Sequence, residues 1–118
     1  MATTVLIVDD HPTFRRFARR LLEDGGFDVV GEAVDARSAI AAADALRPEL
    51  VLLDVLLPDE SGLIVAGELA ACPSPPVVVL TSSRSEADLG PALHEAPARG
   101  FVPKAELSPT VLRGMVSR

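Results

Sequence analysis

Short, mainly apolar runs alternate along this chain with longer segments in which apolar residues recur every three or four positions. The first run, residues 4–8, is rich in β-branched residues and predicts a strand, and Pro12 follows where the first turn of a helix would begin. The helix after Pro12 has one apolar face opposite a group of arginines. That face consists of Phe14, Phe17, Ala18, Leu21 and Leu22. Gly25 and Gly26 are expected to end this helix.

The alternation of apolar runs and helical segments continues to the end of the chain. Further strands are predicted over residues 27–33, 50–53, 77–80 and 100–103. Further helices are predicted over residues 36–46, from after the turn-rich residues 58–62 to about residue 71, in a short stretch before residue 97, and after Ser108. Wholly apolar strands are typical of a sheet that is buried on both faces. We therefore expect an α/β fold, a doubly wound parallel sheet of five strands with five helices.

The fourth helical segment departs from a regular helical pattern. Pro91 has no amide hydrogen and its ring clashes with the preceding turn, which costs about 3 kcal/mol or more in a helix interior, and Gly90 adds about 1 kcal/mol. Ser85 is a suitable cap, but we expect the regular helix to begin near Gly90 or Pro91, with residues 85–89 as a loop or loose turn. Pro97 limits the other end, because it disfavours helical geometry in the residue before it.

Composition and charge narrow the functional classes. The 118 residues carry a net charge of −6, so the chain itself is not expected to bind nucleic acid. No apolar run approaches the ~20 residues of a membrane-spanning helix, and residues 1–8 do not resemble a secretory signal. Cys72 is the only cysteine, which excludes an internal disulfide and fits a reducing compartment. We expect a single cytoplasmic domain over residues 1–118, with no membrane contact.

Polar residues stand at the carboxyl ends of four predicted strands. Asp9 and Asp10 follow the first strand, Asp54 the third, Thr81 the fourth, and Lys104, the sole lysine, the fifth. In open α/β sheets, ligands bind at this edge, near the point where the strand order reverses. A flavodoxin-like strand order, 2-1-3-4-5, would place the first and third strands side by side. The three carboxylates would then lie close together.

Each of these residues has a simpler explanation when it is taken alone. An aspartate before a helix usually caps that helix, Thr81 is an ordinary strand-end residue, and a lone lysine is usually solvated. Independent placement would not put an acid pair, an acid, a hydroxyl and the sole lysine at the ends of four strands. Their joint placement favours a functional site.

Three clustered carboxylates require a compensating charge. Like charges in contact disfavour joint ionisation, whereas a divalent cation favours it, and Mg²⁺ suits a few carboxylates plus water. Mg²⁺ is therefore the expected cofactor, held by Asp9 and Asp10, with Mn²⁺ as a substitute. A carboxylate can attack phosphorus when a metal and a cation neutralise the transferring group. Asp54 is the candidate nucleophile, with Lys104 meeting a phosphoryl oxygen and Thr81 donating a hydrogen bond.

Four segments of the sequence resemble the receiver domains of response regulators, whose fold is the flavodoxin-like one also called CheY-like. They are Leu6-Ile-Val-Asp-Asp-His-Pro12, Leu52-Leu-Asp-Val-Leu-Leu-Pro-Asp-Glu-Ser-Gly62, Leu80-Thr-Ser-Ser83 and Gly100-Phe-Val-Pro-Lys-Ala-Glu-Leu107. The likeness covers essentially the whole chain. Details such as Asp10-His11-Pro12 are most similar to the receivers that precede LuxR/NarL-type DNA-binding domains.

The resemblance implies a phosphoacceptor signalling domain of a two-component system rather than an enzyme. A sensor histidine kinase or a phosphotransfer protein would donate the phosphoryl group to Asp54, and the output would be transcriptional. Asp10 and Asp54 would bind the metal directly, Asp9 through water, and Leu56 through its backbone carbonyl.

The same resemblance implies further roles at the ends of the last two strands. Thr81, Ser82 and Lys104 would bind the phosphoryl group. Thr81 and Phe101 occupy the family's switch positions, although half-buried packing at a sheet edge explains Phe101 equally well. The family also implies a possible homodimer through the face formed by the fourth helix, fifth strand and last helix.

Three alternative functions compete with this one. A haloacid-dehalogenase-type phosphatase has a second acid two residues after its nucleophile, where this chain has Leu56. A flavodoxin is opposed by the lack of Tyr and Trp and of a glycine-rich phosphate loop. The serious alternative is a receiver-fold interaction module that acts without phosphorylation, which the presence of every expected site residue disfavours. Whether an output domain follows Arg118 stays open, and the resemblance favours a longer regulator.

Overall fold

The five strands form one sheet in which every neighbouring pair is parallel, in the order β2-β1-β3-β4-β5. The computed structural model describes residues 2–117. The strands are β1 Thr4–Val8, β2 Asp28–Ala33, β3 Leu50–Asp54, β4 Val77–Ser82 and β5 Gly100–Pro103. The predicted α/β fold, its strand order and the positions of all five strands are confirmed.

In the part of the chain that the structure describes, six α-helices connect and cover the strands, one more than the sequence predicts. They are α1 Pro12–Asp24, α2 Ala36–Leu46, α3 Gly62–Ala70, α4 Glu86–Leu89, α5 Ala92–Glu95 and α6 Pro109–Val116, with a 3₁₀ turn at Lys104–Glu106. The Ser108 side chain accepts a hydrogen bond from the Val111 amide and caps α6, as its sequence predicts. Within residues 2–117, none of the helices has the length and apolarity that crossing a bilayer requires.

The sheet separates two apolar layers, because successive residues of each strand point to opposite faces. One face packs against α1 and α6, and the other against α2, α3 and α5. The wholly buried side chains of the three central strands include Val5, Leu6, Ile7, Leu50, Val51, Leu52, Leu53 and Val79. Burial on both faces is the physical reason that these strands read as unbroken apolar runs.

The fourth helical segment is broken, as Pro91 and Gly90 predict, but its first half is not a loop. Glu86–Leu89 forms one helical turn, which Ser85 caps by accepting a hydrogen bond from the Asp88 amide at 3.2 Å. Gly90 then has φ +80°, a conformation that few other residues adopt, and a second turn follows at Ala92–Glu95. The prediction for residues 85–89 was therefore wrong, because a capped single turn needs no amide from Pro91.

A glycine at the start of α3 brings that helix against the end of β3. A Cβ atom at Gly62 would overlap the backbone carbonyl oxygen of Asp54. The Gly62 amide donates to the Val55 carbonyl at 2.7 Å, and the Val55 amide donates to the Thr81 carbonyl at 3.0 Å. The backbone on either side of Asp54 is therefore fixed by its neighbours.

Candidate functional site

The strand order brings the acids at the ends of β1 and β3 together. Carboxylate oxygens of Asp9, Asp10 and Asp54 and Nδ1 of His11 all lie within 4.8 Å of one another. Asp9 is fully buried and Asp54 is 2% exposed, whereas 35% of the Asp10 side chain is accessible. The cluster is therefore buried at Asp9 and Asp54 and accessible to solvent at Asp10.

Lys104 supplies the positive charge of the cluster from the end of β5. Its Nζ lies 2.5 Å from Asp9 Oδ2 and 3.3 Å from Asp54 Oδ2, and its side chain is 14% exposed. The same ammonium lies 4.4 Å from the centroid of the Phe14 ring, within cation–π distance. The sole lysine is thus held by two carboxylates and one aromatic face.

Backbone amides and a histidine hold the buried carboxylates in place. Asp9 Oδ1 accepts from the His11 amide at 2.8 Å and lies 2.9 Å from Nδ1 of the same residue. Asp54 Oδ1 accepts from the Leu56 amide at 3.0 Å. Arg15 donates to the Asp9 carbonyl at 2.7 Å, which fixes the backbone at the end of β1.

The two buried carboxyls have opposite pKa shifts. Burial, with the nearby charge of Asp9 as a lesser cause, raises the pKa of Asp54 to about 6 despite the Leu56 amide and Lys104. Burial also opposes ionisation of Asp9, but the Lys104 ammonium and the His11 amide together hold the pKa of Asp9 below its usual value. Of these two carboxyls, Asp9 is therefore the more stable anion, and burial disfavours the ionised form of Asp54.

The donor set of the cluster fits a small, oxygen-binding cation. Among residues 2–117, the buried side-chain oxygens left without a hydrogen bond are Asp9 Oδ2, which lies near Lys104, and Asp10 Oδ1, which lies near His11. Buried carboxylate oxygens without donors are costly unless a cation or water meets them. Mg²⁺ is usually bound by one or two carboxylates and keeps several water ligands. The carboxylate oxygens of this cluster could supply the first kind of ligand, and its solvent-accessible side leaves room for the water.

The structure brings Thr81 to the site but turns its hydroxyl away. Thr81 lies beside Asp54 in the register of β3 and β4, yet its Oγ1 donates to the Val102 carbonyl at 2.7 Å. Ser82 is also buried, and its hydroxyl accepts from the Arg84 amide at 3.1 Å. The hydrogen bonds described for these two hydroxyls are therefore to the backbone and not to the acids.

Phe101 is half-buried in β5, beside a cavity of about 230 Å³. Leu80, Leu93 and His94 line this cavity together with Phe101. The ring therefore has the half-buried packing that its position at the sheet edge predicts, with open space next to it.

Sequence reasoning gave no role to two residues that contact the lysine and the acids. His11 has 64% of its side chain exposed, but its ring nitrogen faces Asp9 and Asp10. Phe14 belongs to the apolar face that the sequence predicts for α1, and its ring also contacts Lys104. For His11, the available signal in the sequence was its position directly after the acid pair. For Phe14, the sequence pattern gives no signal of a contact with Lys104.

The sheet order and the acid–lysine cluster define a doubly wound α/β protein with a group of carboxylates and one lysine at the strand ends. The chain belongs to the response regulator receiver domain family, whose model matches residues 5–117. It is therefore a signalling domain of the kind found in two-component systems.

Relatives of known sequence and structure agree with this assignment. The chain is 41% identical over 110 residues to the nitrate/nitrite response regulator protein NarP of Escherichia coli, covering 92% of this chain and 50% of that protein. It is 38% identical over 102 residues to a putative transcriptional regulator of Pseudomonas aeruginosa, covering 86% and 49%. The chain thus spans about half the length of these relatives.

A solved receiver structure matches nearly the whole fold. The signal receiver domain of the putative response regulator NarL from Mycobacterium tuberculosis superposes with a TM-score of 0.87 at 32% identity, covering 99% of this chain and 98% of that one. A LuxR-family two-component response regulator from Aurantimonas has a TM-score of 0.86 at 27% identity, with 100% and 88% covered. The predicted likeness to LuxR/NarL-type regulators is confirmed.

Proposed function

We propose that this chain is a phosphorylation-dependent switch that accepts a phosphoryl group on Asp54 from a sensor histidine kinase or a phosphotransfer protein. The observation that carries the proposal is the position of Lys104, whose ammonium lies against both Asp9 and Asp54 at the one edge where the strand ends converge. In the transfer, the bond from phosphorus to the donor histidine nitrogen breaks and a bond to an Asp54 oxygen forms. The interaction module without phosphorylation has no comparable support.

Mg²⁺ is the proposed cofactor, with Mn²⁺ as a substitute. Asp10 and Asp54 would bind the ion directly, Asp9 through water, and Leu56 through its backbone carbonyl. The ion supplies positive charge that neutralises the oxygens of the transferring group. The raised pKa of Asp54 supports this assignment, since a nearby cation stabilises the ionised carboxylate that the transfer requires.

The residues of the chain that would bind the phosphoryl group are Lys104, Thr81 and Ser82. Lys104 needs only a small movement, because its ammonium is already 3.3 Å from the acceptor carboxylate. Thr81 would exchange its bond to the Val102 carbonyl, 2.7 Å long here, for a bond to a phosphoryl oxygen.

The proposed switch follows from that exchange. If the Thr81 hydroxyl moves toward Asp54, it leaves the space beside the Val102 carbonyl of β5. Phe101, in the same strand, lies beside a cavity. The ring of Phe101 would turn inward and change the face formed by α4, α5, β5 and α6. That face is the proposed homodimer surface, and a transcriptional output is proposed because the relatives named above include transcriptional regulators.

The test is intact-mass measurement after incubation with acetyl phosphate, a small phosphodonor that does not require the cognate kinase. The wild-type chain should gain one phosphate, and the gain should disappear in Asp54→Asn and in the presence of a chelator. Glu60→Gln removes an equal charge in the same loop and should still be phosphorylated. Equal phosphorylation with and without divalent metal would contradict the site as proposed.

A further inference from the structure

Asp59, in the loop between β3 and α3, makes two hydrogen bonds to the start of α2. Its Oδ1 accepts from the Ala36 amide at 2.8 Å, and its Oδ2 accepts from the Arg37 amide at 3.1 Å. The first amides of a helix have no partner within the helix, so they are free to bind a carboxylate. The bond from Ala36 is the largest cause that holds the pKa of Asp59 below its ordinary value.

The helix already has a cap of its own. Asp35 accepts from the Ser38 amide at 2.8 Å, and Ser38 Oγ accepts from the Asp35 amide at 3.3 Å. This reciprocal pair is a capping box and satisfies the helix start locally. Asp59 adds a different connection, because it joins two elements that are far apart in the sequence.

The loop that Asp59 ties to α2 is the loop that carries Leu56. Its base is fixed, since the Gly62 amide donates to Val55 at 2.7 Å and the Leu56 amide donates to Asp54 Oδ1 at 3.0 Å. Residues 57–60 lie between Leu56 and Ser61, which form an isolated antiparallel bridge, and Asp59 connects this segment to α2. The two hydrogen bonds of Asp59 therefore limit the motion of the segment next to the acceptor.

We propose that Asp59 is a positioning residue of the metal site, which ties the β3–α3 loop to α2 and thereby holds the Leu56 carbonyl where the ion binds. This inference rests on the proposed function, in which that carbonyl is a metal ligand. A ligand that is held in place before binding loses less conformational entropy when the ion arrives. Loss of the tie should therefore weaken Mg²⁺ binding without removing any ligand.

The experiment measures the affinity of the full chain for Mg²⁺ by isothermal titration calorimetry, because the chain has no Trp or Tyr to report binding by fluorescence. Asp59→Ala should bind Mg²⁺ about five- to tenfold more weakly than wild type. Asp59→Asn keeps one side-chain oxygen as an acceptor and should lie between the two. Hydrogen exchange should also show faster exchange of the Leu56 amide in Asp59→Ala, with or without Mg²⁺.

Two control variants separate the tie from other effects. Glu60→Ala removes the same charge from the same loop, and Asp35→Ala removes the local cap of α2; each should change Mg²⁺ affinity by less than about twofold. Equal weakening in Asp59→Ala and either control, or wild-type affinity in Asp59→Ala, would overturn the positioning role alone. Failure of the wild-type chain to bind Mg²⁺ would instead overturn the proposed function, and this inference with it.

Discussion

Lys104 Nζ lies 2.5 Å from Asp9 Oδ2, an ion pair that joins the end of β1 to the residue after β5 across the intervening strand ends. The Asp9 side chain is fully buried and that of Lys104 is 14% exposed. In such surroundings, removal of one partner leaves the other as an uncompensated buried charge. The pair therefore links the electrostatics of the site to the stability of the fold.

Replacement of Lys104 with Met, which has a similar length but no charge, should destabilise the metal-free chain by about 3 kcal/mol at pH 7. The reason is that Asp9 and Asp54 lose their common cation. The measurement is urea unfolding followed by circular dichroism, with chelator present. Arg16→Met removes a charge from an exposed position on α1 and should change stability by no more than about 0.5 kcal/mol. Equal stability of the two variants would contradict the structural role of the lysine.

Asp54→Asn should stabilise the metal-free chain at pH 7, by up to about 3 kcal/mol. Burial raises the pKa of Asp54 to about 6 in the fold, against an ordinary value of 3.8, so the wild type loses stability as pH rises from 3.8 through 6. Asparagine avoids the charge and keeps an oxygen for the Leu56 amide. The gain should therefore shrink as pH falls through 6 and disappear below 3.8, where the wild-type carboxyl becomes protonated in both states.

Urea unfolding of both proteins at several pH values across this range checks the prediction. Addition of Mg²⁺ should favour the wild type and reduce the advantage of Asp54→Asn. A stability difference that does not depend on pH would show that the charge of Asp54 is not its cause.

Replacement of Leu56 with Asn should shorten the lifetime of the phosphorylated chain, by about threefold or more. The Leu56 side chain is 47% exposed in the loop beside Asp54 and has no group that can orient an attacking water. Asparagine would add a hydrogen-bonding group at this position. The decay of the phosphorylated mass over time measures the lifetime. Leu56→Ala widens access without adding a polar group, so an equal shortening in Leu56→Ala would argue against a positioned water.

Gly90→Ala and Gly114→Ala should change stability in opposite directions. Gly90 has φ +80°, where alanine is strained, and its replacement should destabilise the chain by about 1–2 kcal/mol. Gly114 lies within α6 with open space around a Cβ atom, and alanine there should stabilise by about 0.5–1 kcal/mol. Thermal and urea unfolding measure both. A neutral Gly90→Ala would mean that the break between α4 and α5 can adopt another backbone conformation at no cost.

The strands and most helix limits could be predicted from the sequence because local and tertiary preferences agree there. The run from Leu50 to Leu53 has no polar position, and the structure buries it on both faces. Helix α2 begins and ends as predicted, at Ala36–Leu46, with a cap at its start. The convergence of Asp9, Asp54 and Lys104 was predictable as well, since it follows from strand order alone.

Features that depend on side-chain direction or on single hydrogen bonds were not predictable. The sequence places Thr81 at a strand end, but not the choice of its hydroxyl between Asp54 and the nearer Val102 carbonyl. The single turn at Glu86–Leu89 is stabilised by the Ser85 cap, which outweighs the helix-breaking effect of the residues after it. The tie from Asp59 to α2 joins positions that no local pattern connects.

The order of the strands also has a consequence for how the domain matures on the ribosome. The acids come from β1 and β3, whereas the lysine follows β5, the last strand to be synthesised. Chains emerge with their N-terminal part first, so a partly made domain holds its negative charges before their partner exists. Pairing of β5 with β4 is the step that delivers the lysine. We therefore expect that the complete cluster of acids and lysine forms only in the finished domain, and that incomplete chains do not accept a phosphoryl group.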